Sequence, residues 1–292
     1  LSAFVEIQRL VKQGLAPSQA AIAYSPIGIQ RISLFNAATD YQQFLASTVI
    51  PALLHILAMV IGATTIGREL RDKQIGRWYD FIESGHPDLT SIEANTKNDI
   101  ENDNIIAAST SAANNKTSVI DSKPRKASIL VLLSGLLGKY FWPTLAYSLW
   151  SILALWLATP QQAVAISSIM ATYVGLVLLM MLSFWLGAIF TLTSFSLRMG
   201  LSSTGFISAP SYAFAGVTFP YIAISDSAKH WSDALPLTHY LKLHIAQLQM
   251  QAPVAISLPI VYGLTLATVI AMFLAALLSK RALAHPERWG AR

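Results

Sequence analysis

The sequence predicts an all-α polytopic membrane protein: five visible transmembrane helices, a re-entrant helical hairpin before the last one, and part of an α/β extracytoplasmic domain at the start. Three observations carry this reading. The 292 residues are 54% hydrophobic and 12% charged, whereas soluble domains carry roughly a quarter charged residues. Between Lys139 and Arg198 there is no Asp, Glu, Lys, Arg or His, a stretch too long for one crossing of about 20 residues and sufficient for two. From Ser203 to Gln249 an apolar segment breaks, dips through Asp226, Lys229, His230 and Asp233, and resumes as a short amphipathic piece. Irregular backbone inside a membrane is tolerated only where protein or a water-filled path surrounds it.

The elements follow in order. Residues 1–45 read as the C-terminal part of an extracytoplasmic domain, with Phe4, Ile7, Val11 and Leu15 at helical spacing and a strand at 27–35. The piece is too small to build its own core, so a trimmed chain lacking an upstream first span is expected, six spans in all. A natural external start is the alternative. Residues 46–67 form the first visible span, and 68–83 a short helix at the membrane surface with Leu70, Ile75, Trp78 and Phe81 among charges. Residues 84–127, rich in Asn, Ser, Thr, Asp and Lys, cannot offset their ordering entropy and are expected to be disordered. Residues 128–279 hold the remaining spans: two around the turn Thr159-Pro160-Gln161-Gln162, one at 202–222 and one at 254–278, with the re-entrant segment at about 218–250. Residues 280–292 are the tail.

Orientation follows from Lys and Arg. Arg68, Arg71, Lys73 and Arg77, the loop lysines and arginines up to Lys139, Arg198, and Lys280, Arg281, Arg288 and Arg292 fall on one side of a five-span arrangement. Only Arg9, Lys12, Arg31, Lys229 and Lys242 fall on the other. The basic side is therefore cytoplasmic and residues 1–45 external. This bias also accounts for the sequence pI of about 9.4, so nucleic acid is not an expected partner.

Enzymatic constellations are nearly absent. The spans carry no carboxylate, the chain has no cysteine, and no Gly-rich phosphate loop occurs. His55 is the one ionisable residue deep in a span, read either as a packing histidine or as a functional group. His239 and His244 are misaligned for a shared metal by their i, i+5 spacing, and no metal or other cofactor is expected. Secondary transporters usually place ionisable groups at mid-membrane; here hydroxyls, aromatics and small residues line the spans instead. Driving energy should then come from another subunit. The segment around Arg68, Glu69, Arg71 and Trp78 is either its docking point or a solvated helix that merely fixes topology. Pro220 is expected to end the fourth visible span near Phe219, and Pro236 to start a new helix. The face formed by Leu237, Tyr240, Leu241, Ile245 and Leu248 should pack on the spans. Tyr212, Gly216, Thr218, Phe219, Pro220, Pro236, Thr238 and His239 are the candidate gate and pathway residues, a plain external loop being the alternative.

Three blocks resemble the permease subunit of type-2 ABC transporters, the exporter class with a large extracytoplasmic domain between its first two spans. Leu34-Phe35-Asn36 with Tyr41, Phe44 and Ile50-Pro51 is similar to that family's entry into its second span. Ile66-Gly67-Arg68-Glu69, with Gly76 beyond, resembles its exit element. Pro210, then Gly216-Val217-Thr218-Phe219-Pro220, then Leu235-Pro236-Leu237-Thr238 resembles its re-entrant region. The sequence departs at Ala37, where the family has proline, at Gln74-Ile75-Gly76-Arg77-Trp78, and in the long 84–127 insertion. The resemblance implies a half-permease of a bacterial inner membrane that pairs with a second permease subunit and docks on a cytoplasmic ABC ATPase. That ATPase would hold ATP and Mg. Membrane lipid and a periplasmic adaptor are further implied partners, and an amphipathic or hydrophobic drug, lipid or glycan-like compound the exported substrate. An ion-coupled carrier or channel of another class is the alternative.

Overall fold

The computed structural model describes residues 8–14, 41–84, 127–159, 164–216 and 224–290. The chain divides into two units, Leu1–Thr39 and Asp40–Arg292. In the first, the described residues form a helical turn at 8–12 that ends at Gly14, with φ 95°. The strand expected at 27–35 and the Leu34-Phe35-Asn36 block lie outside the described residues.

The second unit is helical throughout its described residues. Helix α1 is Tyr41–Arg71 and α2 is Ile75–Ser84; α3 is Ile129–Ala158, α4 Ile166–Ser194 and α5 Leu197–Phe214. Then come α6, Asp226–Ala234, and α7, Pro236–His244, which continues as a π turn at Ile245–Gln249. Helix α8 is Val254–Ala284, followed by a 3-10 turn at Pro286–Arg288. Among the described residues no strand occurs, so the expected α/β character of the first domain has no support here.

Four helices are long and apolar enough to cross a membrane: Leu45–Arg71, Ile129–Ala158, Ile166–Ser194 and Val254–Ala284. The sequence reading had five. The one without such a helix, placed at 202–222, is α5, whose 18 residues rise only about 27 Å. Ser202, Ser203, Thr204, Ser208 and Ser211 also dilute its apolar character. Its end is likewise corrected, from Phe219 to Phe214: Gly216, at φ 82°, sits just past the helix where a left-handed residue stops it before Pro220 is reached. One further boundary moves. The surface segment at 68–83 is the last turn of α1 plus a separate helix α2. Of the linker expected to be disordered, 84–127, residues 85–126 lie outside the described residues, and Ser84 ends α2.

Helix α4 is the centre of the bundle. Of its most apolar window 61% is buried, against 22% for α3 and 28% for α8. On α3, Trp142, Leu149, Trp150 and Trp156 point outward, as do Ile256, Tyr262, Leu266 and Ile270 on α8. Those two helices present the apolar faces that lipid would cover. Helices α1 and α4 run parallel, His55 meeting Ser183 and Thr191 meeting the Ala63 carbonyl. Tyr140 of α3 ties across by donating its hydroxyl to the Gly62 carbonyl at 2.9 Å, and its ring packs against Phe184 and Trp185. Helices α1, α3, α5 and α8 each carry an internal proline, Pro51, Pro143, Pro210 and Pro259. Neighbouring helices and hydroxyl side chains can satisfy the carbonyls so freed.

Candidate functional site

The basic end is organised around one lysine. Lys139 of α3 is hydrogen-bonded to Glu69 at the end of α1, and its ammonium stands 4.8 Å from the ring centre of Trp78 on α2. Helix α2 is seated on α3 because Gly135 leaves room for Trp78 and Ile82. Its other anchor is the Tyr79 hydroxyl, which accepts from the Ser128 amide at 3.0 Å and donates to Glu83 at 3.1 Å. Two of the four residues proposed for docking, Glu69 and Trp78, are thus engaged within the chain. Arg68 and Arg71 are exposed, together with Arg77 and Phe81. Arg71 chelates Asp72 through two hydrogen bonds of 2.8 and 3.1 Å, and that contact holds the Asp72 carboxyl below the usual carboxylate range. The Lys139 contribution was not picked out by sequence; an isolated lysine entering a charge-free stretch was the available signal.

At mid-bundle, His55 is buried against Ser183, with Nδ1 2.6 Å from Oγ. Ser183 donates its own proton to the Leu179 carbonyl at 2.6 Å. The hydroxyl must therefore accept from His55, which fixes the histidine proton on Nδ1 and leaves Nε2 as a bare acceptor. Among the described residues that Nε2 atom has no partner.

The other end is closed by α6, α7 and the π turn. The charged dip from Asp226 to Asp233 is the helix α6; Lys229 bonds Asp226 at 2.9 Å, and Lys242 reaches Asp233 at 3.1 Å. Pro236 occupies the first turn of α7, where a missing amide proton costs nothing. The expected inward face is buried at Leu237, Tyr240, Leu241 and Leu248 and half-buried at Ile245. The seat for this face on α4 is Gly175, which approaches Leu243 and Tyr240.

This segment is more polar inside than its sequence pattern suggests. Thr238, His244 and Gln247 are fully buried. Tyr240 and His244 pair at 3.2 Å, Gln247 donates to Ser257 of α8 at 2.7 Å, and Gln249 donates to Ser47 of α1 at 3.3 Å. Of the buried side-chain atoms left without a partner among the described residues, His244 Nε2, Gln247 Oε1 and Gln249 Oε1 all fall here. The π turn changes the helical phase by one residue and brings both glutamines inward. Sequence periodicity at 3.6 residues cannot register such a shift.

Among the gate candidates, Tyr212 is half-buried and its hydroxyl lies 3.3 Å from Thr48, while His239 is half-buried and its Nε2 meets the Asp233 carbonyl at 2.8 Å. Thr238 lies beside Ser232, 3.4 Å away. Thr218, Phe219 and Pro220 lie outside the described residues. Between α5 and the α6–α7 turn is an apolar cleft of about 120 Å³, lined by Phe206, Ile207, Pro210, Phe214, Trp231 and Leu235. Among the described residues no group of carboxylates, histidines or cysteines is placed to hold a metal ion. No known protein family, curated protein or solved structure matches this chain.

Proposed function

We propose that this chain is the membrane-spanning permease subunit of an ATP-driven exporter. It would move an amphipathic or hydrophobic compound out across a bacterial inner membrane, with ATP hydrolysed by a separate cytoplasmic subunit. One observation carries the reading: a helical hairpin too short to cross, α6–α7, packs its second helix into the bundle at the end opposite the basic face. Among the described residues it keeps a π turn and three unpaired polar atoms there. Unpaired buried polar atoms are few in native proteins and call for a reason; here they mark a segment that must change partners.

Further features support the same reading. Among the described residues the bundle interior carries hydroxyls, neutral amides and two histidines but no carboxylate, which favours an energy source outside the spans. The apolar cleft beside α5 suits a hydrophobic group. Helix α5 supports the fifth crossing despite its composition: Leu197 lies against Gly67 near one end of α1, and Tyr212 reaches Thr48 near the other. It therefore accompanies α1 along most of its length. The exposed Arg68, Arg71, Arg77 and Phe81 supply the surface for the ATPase, and Glu69 and Trp78 hold that surface in place through Lys139.

The test is transport by the tagged chain isolated with its native partners and reconstituted into vesicles. ATP-dependent, vanadate-sensitive efflux of a lipophilic dye is expected. Movement driven by an ion gradient without nucleotide would instead establish the carrier reading, for which His55 and His244 are the groups at hand.

A further inference from the structure

At the basic end of the bundle lies a cavity of about 620 Å³ between the end of α1, the start of α5 and the tail. Three cations line it, Arg71, Lys73 and Arg198. Asp72 pairs with Arg71 and feels Arg68; no carboxylate pairs with Lys73 or Arg198 among the described residues. Like charges converging on one space are unfavourable unless an anion joins them.

Lys73 is held there by backbone geometry. It adopts φ 56° just past α1, its amide bonding the Leu70 carbonyl at 3.3 Å while Gln74 bonds Glu69 at 2.8 Å. Glycine is the usual residue at this left-handed helix-ending position, so a lysine in it puts a cation where the fold prefers no side chain. The start of α5 adds to the field. Ser196 is its N-cap but makes no side-chain capping bond. Ser196 and the first-turn residues Leu197 and Arg198 line the cavity, and helix amides in the first turn attract anions. Gly290, at φ 71°, closes the remaining side by approaching the Arg71 carbonyl. Leu197 and Leu201 make an apolar wall, and the cavity sits where α1 and α5 reach the basic surface.

We infer that this cavity binds a phosphate group carried on an amphiphile, the headgroup of an anionic phospholipid, with its chains lying along Leu197 and Leu201. Basic pockets between transmembrane helices on the cytoplasmic side take such headgroups. The inference needs the basic end to lie at a membrane surface, but it does not need an ATPase partner.

The test therefore uses the full chain purified in detergent, without nucleotide or partner. It is titrated with dioctanoyl phosphatidylglycerol, dioctanoyl phosphatidylcholine and inorganic phosphate. Phosphatidylglycerol should bind most tightly. The double variant Lys73→Gln/Arg198→Gln should lose about thirty-fold of that affinity, from two cations removed near the surface. Its thermal midpoint should stay that of the parent, and Lys229→Gln, far from the cavity, should bind normally. Inorganic phosphate binding as tightly as the lipid would move the assignment to a soluble phosphate and overturn the lipid. Equal binding of the two lipids, or full affinity in the folded double variant, would overturn the site altogether and leave its cations to an acidic protein surface.

Discussion

Gly62 of α1 and Phe184 of α4 approach so closely that a Cβ on Gly62 would lie 2.1 Å from the Phe184 carbonyl oxygen. The contact is reciprocal: a Cβ on Gly187 of α4 would lie 2.1 Å from the Met59 carbonyl. Two backbones in contact at paired glycines gain dispersion along their whole length, the main attraction available between helices in lipid. Gly62→Ala and Gly187→Ala must push the helices apart and should each cost about 1–3 kcal/mol. Gly138 and Gly205 have nothing within 4 Å of the same position, and alanine there should gain about 0.5–1 kcal/mol. Thermal midpoints in detergent check the sign at all four positions.

His55 and Ser183 give a second measurement. Ser183→Ala leaves Nδ1–H of a buried histidine unpaired beside an Nε2 that is already bare. The expected cost is about 1–3 kcal/mol, and His55→Leu/Ser183→Ala together should recover most of it. If the histidine is only packing, the double variant transports like the parent. Transport lost at full stability assigns His55 a functional role.

Lys139 should behave as one unit with Glu69 and Trp78. Under the exporter reading, Lys139→Ala, Glu69→Ala and Trp78→Ala should all insert normally while nucleotide hydrolysis no longer drives transport. Pairing any two should add little, since the second change removes a contact already broken. Coupled transport in all three variants at equal expression removes this cluster from the mechanism.

At the opposite end, movement of the hairpin should be visible as changed access. The chain has no cysteine, so Tyr212→Cys, Thr218→Cys and His239→Cys can be labelled one at a time. Trapping nucleotide on the partner ATPase should alter the labelling rate of each. Equal rates with and without trapped nucleotide place the gate elsewhere.

Topology rests on α5. Reporters fused after Thr90 and after Arg292 should give a cytoplasmic signal, and one inserted after Ser225 an external signal. A cytoplasmic signal at Ser225 means that α5 turns back within the membrane and only the four long helices cross.

Much of this architecture was readable from the sequence, and the reasons differ by element. The long spans announce themselves because lipid demands about 20 apolar residues in a row, and the buried face of α7 follows from the spacing of Leu237, Tyr240, Leu241 and Leu248. The end of α5 was misplaced because Pro220 is the louder signal, although Gly216 acts first. The Lys139 bridge, the π turn and the Gly62–Gly187 lock depend on residues far apart in sequence or on a phase shift, and no local pattern encodes them. Glu69 and Trp78 looked like free docking groups only because their partner sits 70 residues from Glu69.

The tail carries a consequence for how the protein is made. Trp289 is buried and donates its indole N–H to the Ala282 carbonyl at 2.6 Å, and Arg288 lies 4.3 Å over the ring of Phe195. Gly290 then comes to rest against the end of α1. The residues that brace the first long helix of the bundle thus follow every long helix of the bundle in chain order. Until they arrive, the Phe195 turn and the end of α1 stand unbraced, and a ribosome that stops short of Arg288 releases a bundle with an open seam. Such a chain, apolar at its seam and already in the membrane, is what quality-control proteases recognise, so a chain cut between Ala284 and Arg288 should be depleted rather than persist as a shortened working copy.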